Sequence, residues 1–164
     1  MLIAFMTMSM AADPAVSGTW VLDQPEAEVA AVHEQTVQTT LDSLPWAIRG
    51  FARRPLTKTV DNCPHLTIDL QSSELVLHCK GKDPATIERP SQGRVTTGED
   101  GNPVTIDLET AASWLSVRFA TEDGGVTTRY ATSGEHLVVT KSLFSPRLDA
   151  PVEWVVRYRR SDSQ

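Results

Sequence analysis

The chain has 164 residues, of which 40% are hydrophobic and 22% are charged, enough for one domain with its own core and close to the average for globular proteins. Its 15 basic and 21 acidic side chains give a formal charge of −6, and no run of lysine or arginine offers a track for a nucleic-acid backbone. We therefore expect one globular domain and no nucleic-acid partner.

Residues 1–12 carry no charged side chain and are rich in Leu, Ile, Phe and Met. Their last part, Ser9-Met10-Ala11, resembles the small-x-small pattern of a signal-peptidase site, so the segment is interpreted as the remnant of a secretory signal. It is shorter than the roughly 20 apolar residues of a membrane-spanning helix. This predicts a periplasmic or secreted protein, with a cytoplasmic protein as the alternative. The domain would then cover residues 13–160, and residues 161–164 would form a tail.

The domain begins with a short strand, Gly18–Leu22, which is followed by a helical pattern. A proline and two glutamates are typical of a first helical turn, and valines and leucines then recur at helical spacing, which predicts a helix over about 25–43. The pattern restarts after Pro45 and runs to Arg54, where Pro55 is expected to end it. The sequence therefore predicts a helix-turn-helix.

The rest of the chain changes to short runs rich in Val, Thr, Ile, Leu and aromatic residues, separated by turns that contain Gly, Asp, Asn, Pro or Ser. These runs are 65–71, 74–80, 85–89, 93–98, 103–109, 113–121, 126–132, 136–143 and 151–160. Short connections imply an antiparallel meander, and a meander of this size normally curls shut. The predicted fold is mainly β: a ten-stranded antiparallel up-and-down barrel, with the helix-turn-helix as a lid between strands 1 and 2.

Alternation in the later strands separates an apolar face from a polar one. The polar face carries the arginines Arg118, Arg129, Arg157 and Arg159. The opposite register would turn these arginines inward and leave a large apolar patch in water, which is costly. We therefore expect the arginines outside and a mostly apolar lumen.

The two cysteines, Cys63 and Cys79, could form a disulfide in an oxidising compartment. Cys79 continues the apolar face of the strand 74–80. Cys63 has the opposite parity to Leu66, Ile68 and Leu70, which form the apolar face of the strand 65–71. A direct bridge between them would need a bulge, which Pro64 could provide. The pairing stays open at this point.

The Gly18-Thr19-Trp20 strand, the helix pair, the strands that follow and the Gly134–Thr140 stretch resemble the fatty-acid-binding proteins and, more widely, the lipocalin-like calycin barrels. The resemblance implies a barrel that holds an apolar ligand under a helical lid. It also implies structural roles for Gly18 and Trp20. In lipocalins a late arginine packs over the tryptophan, and the resemblance gives that role here to Arg157 or Arg159.

The chain departs from the fatty-acid-binding proteins at the Arg-x-Tyr pair that holds a ligand carboxylate in that family. If Tyr158 takes the tyrosine place, the arginine place holds Val156. If Arg157 takes the arginine place, the tyrosine place holds Arg159. The family's carboxylate clamp therefore does not transfer to this chain.

A ten-stranded barrel is too wide for its own side chains to fill, so a carrier of a hydrophobic, lipid-like molecule is the predicted function. Trp46 and Phe51 would lie at the mouth on a movable lid, and the predicted lining is Phe119, Tyr130, Trp154 and Tyr158. The four histidines are scattered without zinc-ligand spacing, and no nucleophile or phosphate-loop motif is present. We expect no catalytic residue, metal or cofactor.

The alternative function is an interaction module with a filled barrel that acts through its outer surface. A basic cluster, Arg49, Arg53, Arg54 and Lys58, would then contact an anionic membrane or an acidic partner. The same cluster is compatible with the carrier, as a transient membrane contact of the lid.

Overall fold

The computed structural model describes residues 15–60, 63–89, 91–98 and 100–161. The elements are β1 (Gly18–Leu22), α1 (Glu26–Ser43), α2 (Trp46–Val60), β2 (His65–Leu70), β3 (Glu74–Cys79), β4 (Ala85–Glu88), β5 (Arg94–Thr97), β6 (Pro103–Thr110), β7 (Trp114–Thr121), β8 (Gly124–Ser133), β9 (His136–Phe144) and β10 (Val152–Arg160). The mainly β fold with a helix pair after β1 is confirmed. The expected signal remnant lies outside the described residues.

All the strand pairs are antiparallel, in the order β4-β3-β2-β1-β10-β9-β8-β7-β6-β5. This order confirms the up-and-down meander. Alternate connections therefore lie at opposite ends of the sheet. The turns after β2, β4, β6 and β8 form what we call the closed end, and the helix pair and the turns after β3, β5, β7 and β9 form the lid end.

The strand ladder is interrupted between β4 and β5, and polar contacts bridge this seam. Arg94 of β5 forms an ion pair with Glu88 of β4. The backbone N–H of Leu108 donates to the carbonyl of Ser91, 2.6 Å away, which ties the β4–β5 connection to β6. The guanidinium of Arg89, directly after β4, donates to Thr110 Oγ1 at the end of β6, 3.5 Å away. The curled sheet is therefore held at its seam by hydrogen bonds and an ion pair rather than by a continuous ladder.

The apolar face of the sheet points inward, as predicted. One continuous cluster of buried side chains runs from Val16 and Trp20 through both helices to Tyr158. The arginines of the opposite face lie outside. The guanidinium carbon of Arg118 lies 4.7 Å from the centre of the Phe144 ring, and that of Arg129 lies 4.5 Å from the centre of the Trp114 ring. The cation-π contacts shield outer aromatic rings from water.

The prediction that Pro55 ends the second helix is wrong, because α2 continues to Val60. A proline inside a helix costs about 3 kcal/mol through its lost hydrogen bond and its ring clash. The next residue, Leu56, is buried in the core. Burial of a leucine contributes about 2 kcal/mol, which offsets most of that cost. Tertiary packing therefore overrides the local stop signal.

Cys63 and Cys79 form a disulfide, with their Cα atoms 5.4 Å apart. Cys63 precedes β2, which begins at His65, so the pleat of the strand does not fix the direction of its side chain. The parity conflict seen in the sequence therefore disappears, and β2 pairs regularly with β3 without the expected bulge.

Candidate functional site

The closed end of the barrel is sealed by Trp20. Its side chain is fully buried, and its indole Nε1 donates to the Val16 carbonyl at 2.9 Å. The β1–β10 register places Arg160 directly opposite, and its guanidinium lies 4.5 Å from the centre of the indole ring. A Cβ atom at Gly18 would lie 2.9 Å from Arg160 Nη1. Glycine at position 18 thus leaves the space that the arginine occupies over the tryptophan.

The arginine over Trp20 is therefore Arg160, and the expectation of Arg157 or Arg159 for this role is wrong. Side chains alternate along a strand, so residues 157 and 159 share the outer face and residue 160 the inner one. The backbone N–H of Arg157 instead bonds Gln24 Oε1 at 3.0 Å. Arg159 lies 4.0 Å from a carboxylate oxygen of Asp23. Both are outward residues of β10.

Burial along the inner face falls from the closed end towards the lid end. Leu75 and Leu115, near the closed end, have no exposed surface. On β6 to β9 the inner residues at the lid end are only half-buried, and Phe119 keeps 37% of its surface exposed. We call this group the mouth; it consists of Val104, Ile106, Phe119, Val126 and Leu143. The mouth is inward-facing apolar surface that the protein's own side chains do not cover.

The six predicted ligand-binding residues fall into four groups. Tyr130, Trp154 and Tyr158 lie on the inner face with 8%, 3% and 3% of their surfaces exposed. Phe119 belongs to the mouth. Trp46 begins α2 and is 84% exposed, so it does not line the interior in this conformation. Phe51 belongs to α2, and its side chain lies outside the described part of the structure.

The two tyrosines of the inner face are neutral at physiological pH. Burial raises the pKa of Tyr158 to about 12, and a hydrogen bond with the backbone of Cys63 opposes part of this rise. Burial raises the pKa of Tyr130 further, with a smaller contribution from the charge of Tyr158. Both side chains therefore contribute neutral hydroxyl groups to the interior.

Two members of the predicted basic cluster hold the helices together. Arg49 donates from Nε to the Leu44 carbonyl and from Nη2 to the Asp42 carbonyl, both at 2.9 Å, so it satisfies carbonyl groups at the C-terminal end of α1. Arg53 reaches Gln38 Oε1 at 3.0 Å and Glu34 Oε1 at 3.4 Å. The side chains of the other two members, Arg54 and Lys58, lie outside the described part.

Sequence reasoning missed a polar row on the inner face. The register pairs Thr128 of β8 with Lys141 of β9, and Lys141 with Trp154 of β10. The Lys141 ammonium lies 6.0 Å from the centre of the Trp154 ring. The signal was available, because Lys141 stands between Val139 and Leu143 at the spacing of an inward position. The lumen is therefore not uniformly apolar.

A polar cavity of about 460 Å³ lies on the outer face, lined by Gln92, Asp107, Glu109, Ser116, Arg118 and Thr127. Asp107 and Arg118 approach to 3.8 Å there. Asp107 Oδ1 also accepts the backbone N–H of Gly93. Asp107 and Arg118 of this cavity thus partner each other, and Asp107 also binds the backbone.

Within the described residues, no group of three or more His, Cys, Asp or Glu side chains could hold a metal ion. No helix in the ranges that the structure describes is long and apolar enough to cross a membrane.

No protein-family model and no curated protein matches the chain. Among solved structures it is similar to a secretory abundant heat soluble protein of Ramazzottius varieornatus, at 13% identity over 91% of this chain and 97% of that one, with a TM-score of 0.55. It is similar to the REP1-NXSQ fatty acid transporter at 12% identity over 91% of this chain and 98% of that one, with a TM-score of 0.51. It also resembles a luciferase domain of the dinoflagellate Lingulodinium polyedrum, at 9% identity over 88% of this chain and 41% of that one, with a TM-score of 0.50. The topology, the sealed Gly-x-Trp end and these likenesses together show that the chain has the calycin fold of the fatty-acid-binding-protein type.

Proposed function

We propose that the protein binds and carries a hydrophobic, lipid-like small molecule, and that it does not act as an enzyme. The observation that carries this proposal is the burial gradient of the inner face. The closed end is filled by Trp20 and its neighbours, whereas the mouth leaves apolar side chains half-exposed at the lid end. Apolar surface in a concave site is the usual character of a small-molecule pocket.

Two further observations support the proposal. One protein of the same fold, REP1-NXSQ, is a fatty acid transporter. Within the described residues, Arg49 and Arg53 bind α1, so these two cations support the helix pair rather than present a free basic surface. This favours the carrier over the alternative of a filled barrel that acts through that cluster.

We also propose a periplasmic or secreted protein. The Cys63–Cys79 disulfide supports this address, because disulfides persist in oxidising compartments and are rare in the cytosol. Fractionation of the expressing cells tests it, and a protein found in the cytosol with both thiols reduced would contradict it.

The binding proposal is tested with a matched pair of variants on neighbouring positions of opposite faces. Ile106 belongs to the mouth, and Val95 is an outward residue of β5, 63% exposed. Ile106→Trp should obstruct the mouth and weaken binding of a fluorescent fatty acid at least tenfold, whereas Val95→Trp should leave binding within about twofold. Far-ultraviolet circular dichroism and thermal unfolding check that both variants are folded.

Organic extracts of natively purified protein, analysed by mass spectrometry, should contain a co-purified lipid. An empty extract together with no saturable binding of the fluorescent probe would end the carrier proposal. Equal loss of binding in the two tryptophan variants would instead show that the probe does not enter at the mouth.

The lid is tested at Trp46 and Phe51. Trp46 is 84% exposed, so Trp46→Ala should change the free energy of unfolding by less than about 0.5 kcal/mol. Stopped-flow measurements should nevertheless show altered exchange of the fluorescent fatty acid in Trp46→Ala and Phe51→Ala. Unchanged exchange rates in both variants would contradict a movable lid.

A further inference from the structure

The polar cavity of the outer face lies on the side of the sheet that the lumen does not use. Asp107, Arg118 and Thr127 stand side by side on β6, β7 and β8, and Glu109 stands beside Ser116 in the next row. Neighbouring strands are about 4.8 Å apart and alternate residues of a strand about 7 Å apart, so these polar groups spread over roughly 10 Å by 7 Å. The volume of about 460 Å³ falls within the range of small-molecule pockets, roughly 300–1,000 Å³.

Two of the lining side chains are held in place by the protein. Asp107 Oδ1 accepts the backbone N–H of Gly93 at 2.6 Å, and its Oδ2 lies 3.8 Å from Arg118 Nη1. The guanidinium carbon of Arg118 also lies 4.7 Å from the centre of the Phe144 ring. Because 3.8 Å is longer than a hydrogen bond, this ion pair leaves the N–H donors of Arg118 available to a ligand. The cavity thus offers a positioned donor group beside a positioned carboxylate.

The other lining side chains are those of Gln92, Glu109, Ser116 and Thr127. Within the part of the chain that the structure describes, none of these four side chains forms a hydrogen bond or an ion pair with the protein. Ser116 and Thr127 are nevertheless half-buried. The hydrogen-bonding capacity of the four groups is therefore directed to solvent or to a ligand.

The charges of the cavity select against ionic ligands. A cation there meets the guanidinium of Arg118, and an anion meets the carboxylates of Asp107 and Glu109. A neutral molecule with several hydroxyl groups avoids both repulsions, because each hydroxyl group can donate to a carboxylate and accept from the guanidinium. The amide and hydroxyl groups that line the rest of the cavity likewise both donate and accept.

We propose that the outer cavity binds a neutral saccharide of one or two sugar rings. The guanidinium of Arg118 and the carboxylate of Glu109 make charge-assisted hydrogen bonds with the sugar hydroxyl groups, and Gln92, Ser116 and Thr127 complete the set. Because the lining side chains of the strands face outward, this site is separate from the lumen. The inference goes beyond the proposed carriage of a lipid-like molecule and does not rest on it.

The test is a titration of ¹⁵N-labelled protein with glucose, galactose, maltose and cellobiose, followed by the backbone amide NMR signals. At least one of these saccharides should shift the signals of Asp107, Glu109, Ser116 and Thr127 saturably, with a dissociation constant on the order of 1 mM or below. Spermidine and citrate, a polycation and a polyanion, serve as charged probes and should cause no saturable shift at these residues.

Two matched pairs of variants locate the site. Thr127→Val removes a hydroxyl group from the cavity, whereas Thr140→Val removes one from an outward, half-buried threonine of β9 outside it. Glu109→Gln removes a carboxylate from the cavity, whereas Glu153→Gln removes one from the outer face of β10. Thr127→Val should weaken saccharide binding about threefold or more and Glu109→Gln about fivefold or more, and both controls should match the wild type. Thermal unfolding verifies that each variant is folded.

Three results would overturn the inference. One is the absence of a saturable shift with all four saccharides, and another is an equal effect of the two variants in each matched pair. The third is saturable binding of spermidine or citrate at the cavity that is tighter than that of any saccharide. Ile106→Trp, which obstructs the mouth, should leave saccharide binding unchanged, and a loss of binding in this variant would place the sugar in the lumen and contradict the outer site.

Discussion

Replacement of Gly18 by alanine should destabilise the protein through two separable effects. The φ angle of Gly18 is +139°, which L-residues rarely adopt, and such strain costs about 1–3 kcal/mol. The new Cβ would also meet Arg160 Nη1 at 2.9 Å and displace the guanidinium from Trp20. Loss of that stacking costs about 1–2 kcal/mol more. The sum is about 3 kcal/mol, or a fall in Tm of roughly 6–12 °C for a chain of this size.

The two effects are separated by measuring Gly18→Ala in the wild type and in Arg160→Ala, by urea unfolding. Without the arginine only the backbone strain remains, so Gly18→Ala should cost about 1 kcal/mol less in that background. Gly101→Ala is the control, because Gly101 has a φ of +81° and nothing within 4 Å of its added Cβ. It should cost the same in both backgrounds. A coupling between Gly18 and Arg160 below about 0.3 kcal/mol would refute the explanation given for the Gly-x-Trp motif.

Three further predictions concern the disulfide, the tyrosines and the helix pair. The Cys63→Ser, Cys79→Ser double variant should lose about 3 kcal/mol of unfolding free energy, since the bridge spans a sequence separation of 16, and a loss below 1 kcal/mol by urea unfolding would contradict this. Burial raises the pKa of Tyr158 to about 12, against about 10 in the unfolded chain. The buried neutral phenol therefore contributes its full stability below pH 10. This contribution is lost as the pH rises towards 12, by up to about 1.4 kcal/mol per pH unit. The chain has 2 tyrosines and both are buried, so absorbance at 295 nm should show tyrosinate only as the protein unfolds; tyrosinate in folded protein near pH 10 would be the contrary result. Arg49→Ala should cost about 1–2 kcal/mol and speed amide exchange in the last turn of α1, whereas equal exchange in Arg49→Ala and wild type would contradict its capping role.

The strands were predictable because apolar and polar residues alternate along them, and because Gly, Asp, Asn, Pro or Ser residues mark the turns between them. Alternation of apolar and polar residues gave the correct inward face, and Gly124 and Gly134 mark turns where the structure has positive φ angles. The end of α2 was not predictable in the same way. Pro55 is a strong local signal, and only the packing of Leu56 in the core, a tertiary effect, overrides it.

The residues that complete each site depend on register, which a single strand does not reveal. Alternation along β10 puts Arg160 on the inner face and Arg157 on the outer one, but only the offset at which β1 and β10 pair sets Arg160 opposite Trp20. Lys141 was passed over because it interrupts an apolar series, although its parity places it inside. The disulfide was undecided because Cys63 lies just outside the regular strand, where parity no longer applies.

The most direct test of the account is where a bound fatty acid lies. A nitroxide-labelled stearate added to ¹³C-methyl-labelled protein broadens the NMR signals of methyl groups near its chain. Methyl signals of Ile106, Val126 and Leu143 should broaden at one equivalent of ligand, and more strongly than the signals of the outward Val155, which is 46% exposed. Broadening at Val155 with sharp signals at the mouth would contradict a ligand inside the barrel.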